Sequence, residues 1–240
     1  MKYSPYSFSK INTFFDCQKK FEFTYVNKIE IDKDYQDPSY FKRGRFLHAY
    51  IANRLNGGDG TSMKQYNVDT NDKMNLIDCA DKILENEYIS ISYNFDVNKI
   101  ESYICLDSDL IPTNSKDKSA LSGYVDYYAV QDDFGMIVDW KTGKYNTNPS
   151  YDQLELYSIW LFQKYPQLTE IDMVFFYAEH NKFELKTIKP ADVKKLKDDL
   201  KSKIDTIENT TIFNTSESRH CVKCAFFNTC LEKFNINVVN

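Results

Sequence analysis

The sequence has little glycine and proline, with seven Gly and six Pro among its 240 residues. So few of both argue against long flexible linkers. It also has no apolar run long enough to span a bilayer, and its first residues, Met-Lys-Tyr-Ser-Pro-Tyr, form no apolar signal region. We therefore expect one cytoplasmic domain over residues 1–240, without a membrane partner.

The chain also has no excess of positive charge, since its formal net charge is −5. No strongly basic footprint indicates nucleic acid, which counts mildly against a tight, sequence-reading DNA binder. An enzyme that holds a nucleic-acid backbone through metal ions and a local basic strip stays open. Hydrophobic residues make up 42% and aromatic residues 15% of the chain, enough for a sizeable core.

The stretch from Ser122 to Lys141 predicts two strands and a short turn. Segments Tyr124 to Val130 and Met136 to Trp140 are rich in aromatic and β-branched residues, as strands are. Turn chemistry between them comes from Asp132, Asp133 and Gly135. We predict an antiparallel hairpin.

Side chains alternate between the faces of a strand, so Asp139 and Lys141 share one face while Val138 and Trp140 point to the other. In a compatible register, Asp126 of the partner strand joins Asp139. Two carboxylates and an ammonium would then meet on a patch of sheet that otherwise looks buried.

Two like charges in a dry place repel each other, and a divalent cation removes this repulsion. Carboxylate oxygens from Asp126 and Asp139 suit Mg²⁺ or Mn²⁺. Lys141 would stabilise charge that develops beside the metal, an arrangement that can hydrolyse a phosphodiester. The alternative is a Lys–Asp pair on an exposed sheet face, which would be the better interpretation for Asp-x-Lys alone.

Two helices carry further candidates. The first is predicted from Tyr40 to Leu55 with Phe41 on its apolar side, and it contains His48, which by itself would be read as a core histidine. The second is predicted from Ser150 to Tyr165, where Gln153 and Tyr157 share a face. Near the start of the first helix lie Arg43 and Arg45, which could contact a phosphate backbone or simply face solvent.

The C-terminal region contains three cysteines in a C-x2-C-x5-C pattern, Cys221, Cys224 and Cys230. In a reducing compartment this density favours metal ligation over disulfides. A four-cysteine site needs one more thiol, for which Cys17 is the candidate, while Cys79 and Cys105 look structural. Ligand type leaves zinc and an iron–sulfur cluster both open.

Taken together, these motifs resemble the RecB-like branch of the PD-(D/E)XK nuclease superfamily over nearly the whole chain. Within that branch they are similar to members with an iron–sulfur cluster, which include CRISPR-adaptation nucleases and the nuclease domains of helicase–nucleases. The matching segments are Gly44-Arg45-Phe46-Leu47-His48, Gly123-Tyr124-Val125-Asp126, Asp139-Trp140-Lys141-Thr142-Gly143, Gln153-Leu154-Glu155-Leu156-Tyr157, and the four cysteines. Gln18 departs from the family, which often has proline after the first cysteine.

The resemblance implies an α/β, restriction-endonuclease-like fold, with a central mixed sheet flanked by helices. Its N-terminal helix with Cys17 and its C-terminal segment 215–235 would join at a four-cysteine, 4Fe-4S cluster, with Zn²⁺ as the alternative. Glu101 stands where the family tends to carry a glutamate, and we assign it no role.

The implied activity is hydrolysis of DNA that depends on Mg²⁺ or Mn²⁺. The favoured form of this activity is that of an exonuclease acting on single strands or DNA ends. His48, Asp126, Asp139 and the carbonyl of Trp140 would hold the ion, and Lys141 would orient or activate water, with Gln153 and Tyr157 beside it. The alternative is a nuclease-derived module that binds DNA ends without strong cleavage. A separate helicase, recombination or integration protein is a candidate partner.

Overall fold

The computed structural model describes residues 1–33, 35, 39–60, 66 and 68–234. Residues 34 and 36–38, which precede the predicted first site helix, and Asn235, the predicted end of the cysteine segment, lie outside the described residues. No helix within the described ranges is both long enough and apolar enough to cross a membrane.

Along the chain, a run of helices precedes the first strand, and the later helices and strands are interleaved. The helices are α1 (Phe8–Asp16), α2 (Gln18–Phe21), α3 (Ser39–Leu55), α4 (Thr70–Glu85), α5 (Glu87–Ser90), α6 (Asp152–Lys164), α7 (Pro190–Asn209) and α8 (Phe227–Phe234). The strands are β1 (Val97–Leu106), β2 (Leu121–Gln131), β3 (Phe134–Lys141), β4 (Glu170–Tyr177) and β5 (Lys182–Ile188). The predicted hairpin is therefore β2–β3, with its turn at Asp132 and Asp133.

The strands form one mixed sheet in the order β1-β2-β3-β4-β5. All neighbours are antiparallel except β3 and β4, which are parallel. Parallel neighbours need a crossover, and α6 lies in this one. The structure thus confirms the predicted α/β class with a mixed sheet between helices, consistent with a restriction-endonuclease-like fold.

Two hydrophobic cores lie on opposite faces of the sheet. On one face, Ile137 and Met173 pack in a cluster with residues of α1, α6 and α7. On the other, Val138 and Val174 pack in a cluster with residues of α3 and α4. Because both central strands are covered on both sides, a charged side chain at their ends is held in a largely protein-lined environment.

Helix α3 follows the prediction except at its start. Leu47, Tyr50 and Ile51 are buried, whereas Phe41, predicted on the apolar side, keeps 45% of its surface exposed. The prediction for Phe41 is wrong because the first turn of α3 lies beside an open cleft rather than over the sheet.

The N-terminal segment joins β2 to α7. The backbone N–H of Tyr6 donates to Ala120 and its carbonyl accepts from Ser122, so the segment adds a short rung beside β2. The hydroxyl of Tyr6 donates to Glu208 at 2.8 Å, and Glu208 also accepts from the backbone N–H of Lys2. Burial alone would raise the pKa of Glu208, but these hydrogen bonds together lower it.

We expect Glu208→Ala to reduce the free energy of unfolding at neutral pH by about 1–2 kcal/mol. This is the lower part of the range for hydrogen bonds to a charged group, because Glu208 is partly exposed to solvent. A lowered carboxyl pKa stabilises the fold above the ordinary carboxyl range, and this contribution is lost as pH falls through the lowered pKa. Urea melts at neutral and acidic pH should show the deficit shrinking on acidification, with exposed Asp205→Ala as the control.

Candidate functional site

A cleft of about 1060 Å³ opens between α3 and the C-terminal end of β3. One wall is a face of α3 along its whole length, and the other is the sheet edge around Trp140. Its polar lining residues include His48, Glu101, Asp126, Asp139, Lys141 and Gln153. The side chains predicted from four separate motifs therefore open onto one space.

The sheet loses its regular alternation at the rung that carries two of these residues. On β2, Val125 packs with the α6 side and Tyr127 with the α3 side, although strict alternation puts both on one face. On β1, Ile104 and Ile100 are divided in the same way. Glu101 lies at this point of β1 with a left-handed φ of 46°, and its pairing with Asp126 is missing from the β1–β2 ladder.

The backbone of Glu101 is therefore strained, because left-handed φ is uncommon for a residue with a long side chain. Such strain persists only where the surrounding structure holds it, and it occurs preferentially at functional sites. Its effect here is to turn the Glu101 carboxylate toward the cleft.

Asp126 joins β2, β3 and α3. The β2–β3 ladder ends at the Tyr127–Val138 pair, and beyond it the Asp126 carboxylate accepts from the backbone N–H of Trp140 at 2.9 Å. The other carboxylate oxygen lies 3.2 Å from Nδ1 of His48. Nε2 of His48 in turn lies 2.8 Å from the carbonyl oxygen of Trp140. His48 thus lines the cleft, half-buried, and is not part of either hydrophobic cluster.

Both ring nitrogens of His48 face hydrogen-bond acceptors. Burial alone would lower the pKa of His48, but the hydrogen bond and charge of Asp126, with the charge of Asp139, outweigh burial and raise the pKa to about 9. The imidazolium form donates to Asp126 and to the Trp140 carbonyl, which are two of the groups predicted to hold a cation. A metal bound by these groups would compete with the proton on His48.

Glu101 completes a compact group that the motifs alone did not predict. One ligand atom each of His48, Glu101 and Asp126 lie within 4.8 Å of one another. Burial and the charge of Asp126 raise the pKa of Glu101 to about 7, while His48 opposes the shift. Each of these neighbouring carboxylates disfavours ionisation of the other, because like charges repel.

Asp139 lies deeper than this group and pairs with Lys141. Asp139 is 4% exposed, and its Oδ2 lies 2.6 Å from Nζ of Lys141 in an ion pair. Burial and the charge of Asp126 raise the pKa of Asp139, and Lys141 opposes this. The ring of Phe175 lies 4.9 Å from the ammonium and helps to hold it.

Helix α6, on the sheet face opposite α3, carries Gln153 and Tyr157. Nε2 of Gln153 donates to the Tyr157 hydroxyl at 3.3 Å, as expected for residues four apart. Gln153 lines the cleft, while Tyr157 is buried against Gly123, where an added Cβ would meet its ring at 2.9 Å. Gly123 is needed for this close approach. Among the described residues that line the cleft, Gln153 is included and Tyr157 is not, so Tyr157 meets the cleft through its hydrogen bond with Gln153.

The residues of the cleft fit a divalent cation. An octahedral Mg²⁺ with ligands at about 2.0–2.1 Å spans roughly 4 Å between opposite ligand atoms. The separation of up to 4.8 Å in the group of His48, Glu101 and Asp126 is close to that span. The buried like charges of Asp126 and Asp139 would be offset by such an ion.

The four predicted cysteine ligands lie together at a second place. Cys17, at the junction of α1 and α2, lines one small cavity with Cys221, Cys224 and Cys230. Cys79 and Cys105 lie elsewhere, in α4 and β1. Burial and the neighbouring thiols raise the pKa of Cys230 to about 11. In the part of the chain that the structure describes, no three of the four sulfur atoms come within 4.8 Å of one another.

Comparison with protein families identifies the superfamily of this chain. A family model described as the PD-(D/E)XK nuclease superfamily matches residues 5–231. The chain belongs to the PD-(D/E)XK nuclease superfamily. Members of this superfamily are typically metal-dependent nucleases, and the family implies a DNA substrate.

Other comparisons add little to the superfamily assignment. Comparison with curated protein sequences gives no significant match. Among solved structures, "Crystal structure of SSO0001" aligns with 91% of this chain and 96% of its own, at 13% identity and a TM-score of 0.37. A likeness this distant supports no conclusion about activity.

Glu101 is the one residue of the compact group to which sequence reasoning gave no role. The superfamily resemblance was the only signal for it, since alternation along β1 would not separate it from its neighbours. Its orientation depends on the left-handed backbone, which no local pattern predicts. Arg43 was open to phosphate or solvent, and instead it pairs with Asp72 and, at 2.8 Å, with Glu179.

We expect His48→Asn and Glu101→Gln each to weaken Mn²⁺ binding at least about tenfold without DNA present, because each change removes one ligand of a compact set. Isothermal titration with Mn²⁺ at neutral pH measures this directly. Glu85→Gln, on the exposed surface of α4, is the control and should bind as the wild type does. Unchanged affinity in both site variants would mean that the cation, if bound, lies elsewhere.

Proposed function

We propose that the protein is a Mg²⁺- or Mn²⁺-dependent deoxyribonuclease, acting as an exonuclease on single strands or DNA ends. The observation that carries this proposal is the gathering of His48, Glu101 and Asp126 within 4.8 Å, beside the Asp139–Lys141 ion pair, in one open cleft. Such a set combines cation ligands with a fixed positive charge, as phosphodiester hydrolysis requires.

A divalent ion held by His48, Asp126, Asp139 and the Trp140 carbonyl would supply Lewis-acid polarisation of the scissile phosphate and acidify a bound water. Glu101 is placed to be an additional ligand. The carboxylates provide oxygen ligands, which these ions prefer, and the imidazole provides the nitrogen. This ligand assignment is part of the proposal.

Lys141 acts on the charge that develops during hydrolysis. The oxygen of water bonds to phosphorus, a P–O bond to the sugar breaks, and the leaving oxygen gains a proton. A lysine ammonium donates hydrogen bonds but has no lone pair, so in its paired form Lys141 orients water and stabilises the phosphorane-like charge rather than removing a proton. Asp139 and the ring of Phe175 keep it in place.

Gln153 has a positioning part in the same scheme. Its side chain reaches the cleft while one of its amide hydrogens is used on Tyr157. This bond fixes the plane of the Gln153 amide. Its second N–H and its carbonyl oxygen therefore have fixed positions, from which they can contact Lys141 or a bound DNA strand. Tyr157 supports this orientation from the buried side of α6.

Assignment to the RecB-like branch is a further part of the proposal, and it supports the exonuclease preference. It rests on the order of the motifs, with His48 before Asp126, the Asp139-Trp140-Lys141 run, and Gln153 with Tyr157 after it. One PD-(D/E)XK domain over residues 1–240 would carry all of them. A separate helicase, recombination or integration protein would supply the ends on which such a nuclease acts.

A second candidate is a nuclease-derived module that binds DNA ends and cuts them weakly or not at all. The net charge of −5 and the engagement of Arg43 by two carboxylates favour it, since both reduce the attraction for a phosphate backbone. Against it stands the buried Asp139 beside Asp126, which destabilises a fold unless a cation is used.

We propose that the cysteine cavity holds a 4Fe-4S cluster, with Zn²⁺ as the alternative. Four sulfurs around one zinc at about 2.3 Å lie only roughly 3.8 Å apart, whereas a cluster holds them farther apart. All four cysteines line one small cavity, which supports a shared metal group there. The backbone N–H of Ser218 lies 3.4 Å from the Cys221 sulfur, and such bonds stabilise cluster thiolates.

For the nuclease proposal, we expect Asp139→Asn and Lys141→Met each to reduce cleavage at least about a hundredfold, because each removes charge that the transition state needs. Rates on end-labelled single-stranded and duplex DNA with Mn²⁺ measure this. Lys144→Met, exposed in the following loop, is the matched control. Cleavage by purified Asp139→Asn at the wild-type rate would overturn the site assignment, and a wild-type protein that binds but never cuts DNA ends would favour the second candidate.

For the cluster proposal, anaerobically purified protein should be brown and contain iron with labile sulfide. We expect Cys17→Ser to lose this iron and to lower Tm by roughly 6–12 °C, since a link between the chain ends worth several kcal/mol is removed. Cys79→Ser, a half-buried cysteine in α4, should keep both the iron and the Tm within a few degrees. Colourless protein with stoichiometric zinc would replace the cluster with a zinc site.

A further inference from the structure

Two aromatic side chains stand at the mouth of the cleft without a place in either core. Tyr40 is 53% and Phe41 is 45% exposed, and both line the cleft that contains the proposed metal ligands. Their ring centroids are 4.5 Å apart with planes tilted by 43°. Together they form an apolar surface, the Tyr40–Phe41 platform, beside a cleft whose inner wall is charged.

The platform lies on the same side of α3 as His48. Phe41 and His48 are seven residues apart, which is about two helical turns, so their side chains point in nearly the same direction. Along the axis they are separated by roughly 10 Å at 1.5 Å per residue. That distance corresponds to about three steps of a stacked strand at 3.4 Å each, and to fewer steps of an extended one.

The charge of the protein favours contacts with the bases of a nucleic acid over contacts with its phosphates. The chain is acidic overall, and Arg43, next to Phe41, is engaged by Asp72 and Glu179. Long-range attraction for a polyanion is therefore weak, and binding must draw on contacts that do not depend on net charge. Stacking of bases on aromatic rings is such a contact, and it accepts every base.

We propose that the Tyr40–Phe41 platform stacks against an unpaired base two or three nucleotides from the scissile phosphate, and so selects single-stranded DNA or frayed ends. This inference rests on the proposed nuclease function and adds the substrate class and the residues that recognise it. A base inside a duplex has both faces covered by its neighbours, so the interior of an intact duplex cannot use the platform. Continuity of the platform with the proposed metal site favours a DNA strand over a protein partner as its occupant.

The test measures binding and cleavage separately. Binding of fluorescein-labelled oligothymidylate and of a blunt duplex is followed by anisotropy on an Asp139→Asn background, which keeps DNA intact. We expect Phe41→Ala to weaken single-strand binding about tenfold, with the blunt duplex changed less than twofold. The tenfold loss should be the same at two salt concentrations, because no phosphate contact is removed. Phe41→Trp should restore binding, and Phe15→Ala, an exposed phenylalanine of α1, should bind as its parent.

An abasic scan gives a second, independent measurement. One abasic nucleotide, moved along the oligonucleotide, should weaken binding to the parent about tenfold at one position. In the Phe41→Ala protein the same abasic nucleotide should change the binding affinity less than twofold, since the ring on which the base stacks is already absent. Steady-state cleavage of single strands by Phe41→Ala with Asp139 intact should show KM raised about tenfold and kcat within twofold.

The outcomes separate this inference from the function on which it rests. Equal single-strand affinity for Phe41→Ala and its parent, or an equal loss on single strands and blunt duplex, overturns the platform and leaves the nuclease untouched. If the wild-type protein cuts no DNA with Mn²⁺ while the Phe41 and abasic effects still coincide, the proposed function fails and the stacking contact stands. Loss of a protein partner with DNA binding unchanged would assign the surface to that partner instead.

Discussion

The structure depends on two carboxylates, Asp126 and Asp139, held side by side where β2 and β3 leave their regular ladder. Both are buried, and their mutual repulsion disfavours the state in which both are ionised. Each has one positive neighbour, His48 for Asp126 and Lys141 for Asp139. A fold that keeps such a pair in a covered sheet loses stability unless a cation offsets the repulsion.

The interruption of the sheet at Glu101 and Asp126 connects the fold to its chemistry. A continuous ladder would place these side chains according to strand alternation. At this interruption Glu101 turns into the cleft, and the Asp126 carboxylate accepts from the backbone N–H of Trp140. The left-handed backbone of Glu101 thus brings its carboxylate into a compact ligand group. The strain lowers local stability, and the gain is a place to bind a cation.

The cysteine region is bonded to the N-terminal part of the chain. Asp32 accepts from the backbone N–H of Asn228 at 2.7 Å and from the hydroxyl of Thr229 at 2.8 Å, at the start of the helix that carries Cys230. These bonds add to the proximity of Cys17 and the three C-terminal cysteines, which line one cavity.

The sequence by itself determined what depends on local periodicity: the hairpin, the shared face of Asp139 and Lys141, the helix that carries His48, and the pairing of Gln153 with Tyr157. These follow from the fixed repeats of strand and helix. Only the tertiary structure decided that Glu101 joins the ligand group, that Phe41 faces a cleft and that Arg43 is paired. Those outcomes depend on the packing of elements far apart in the chain and on one strained backbone angle, which no repeat in the sequence encodes.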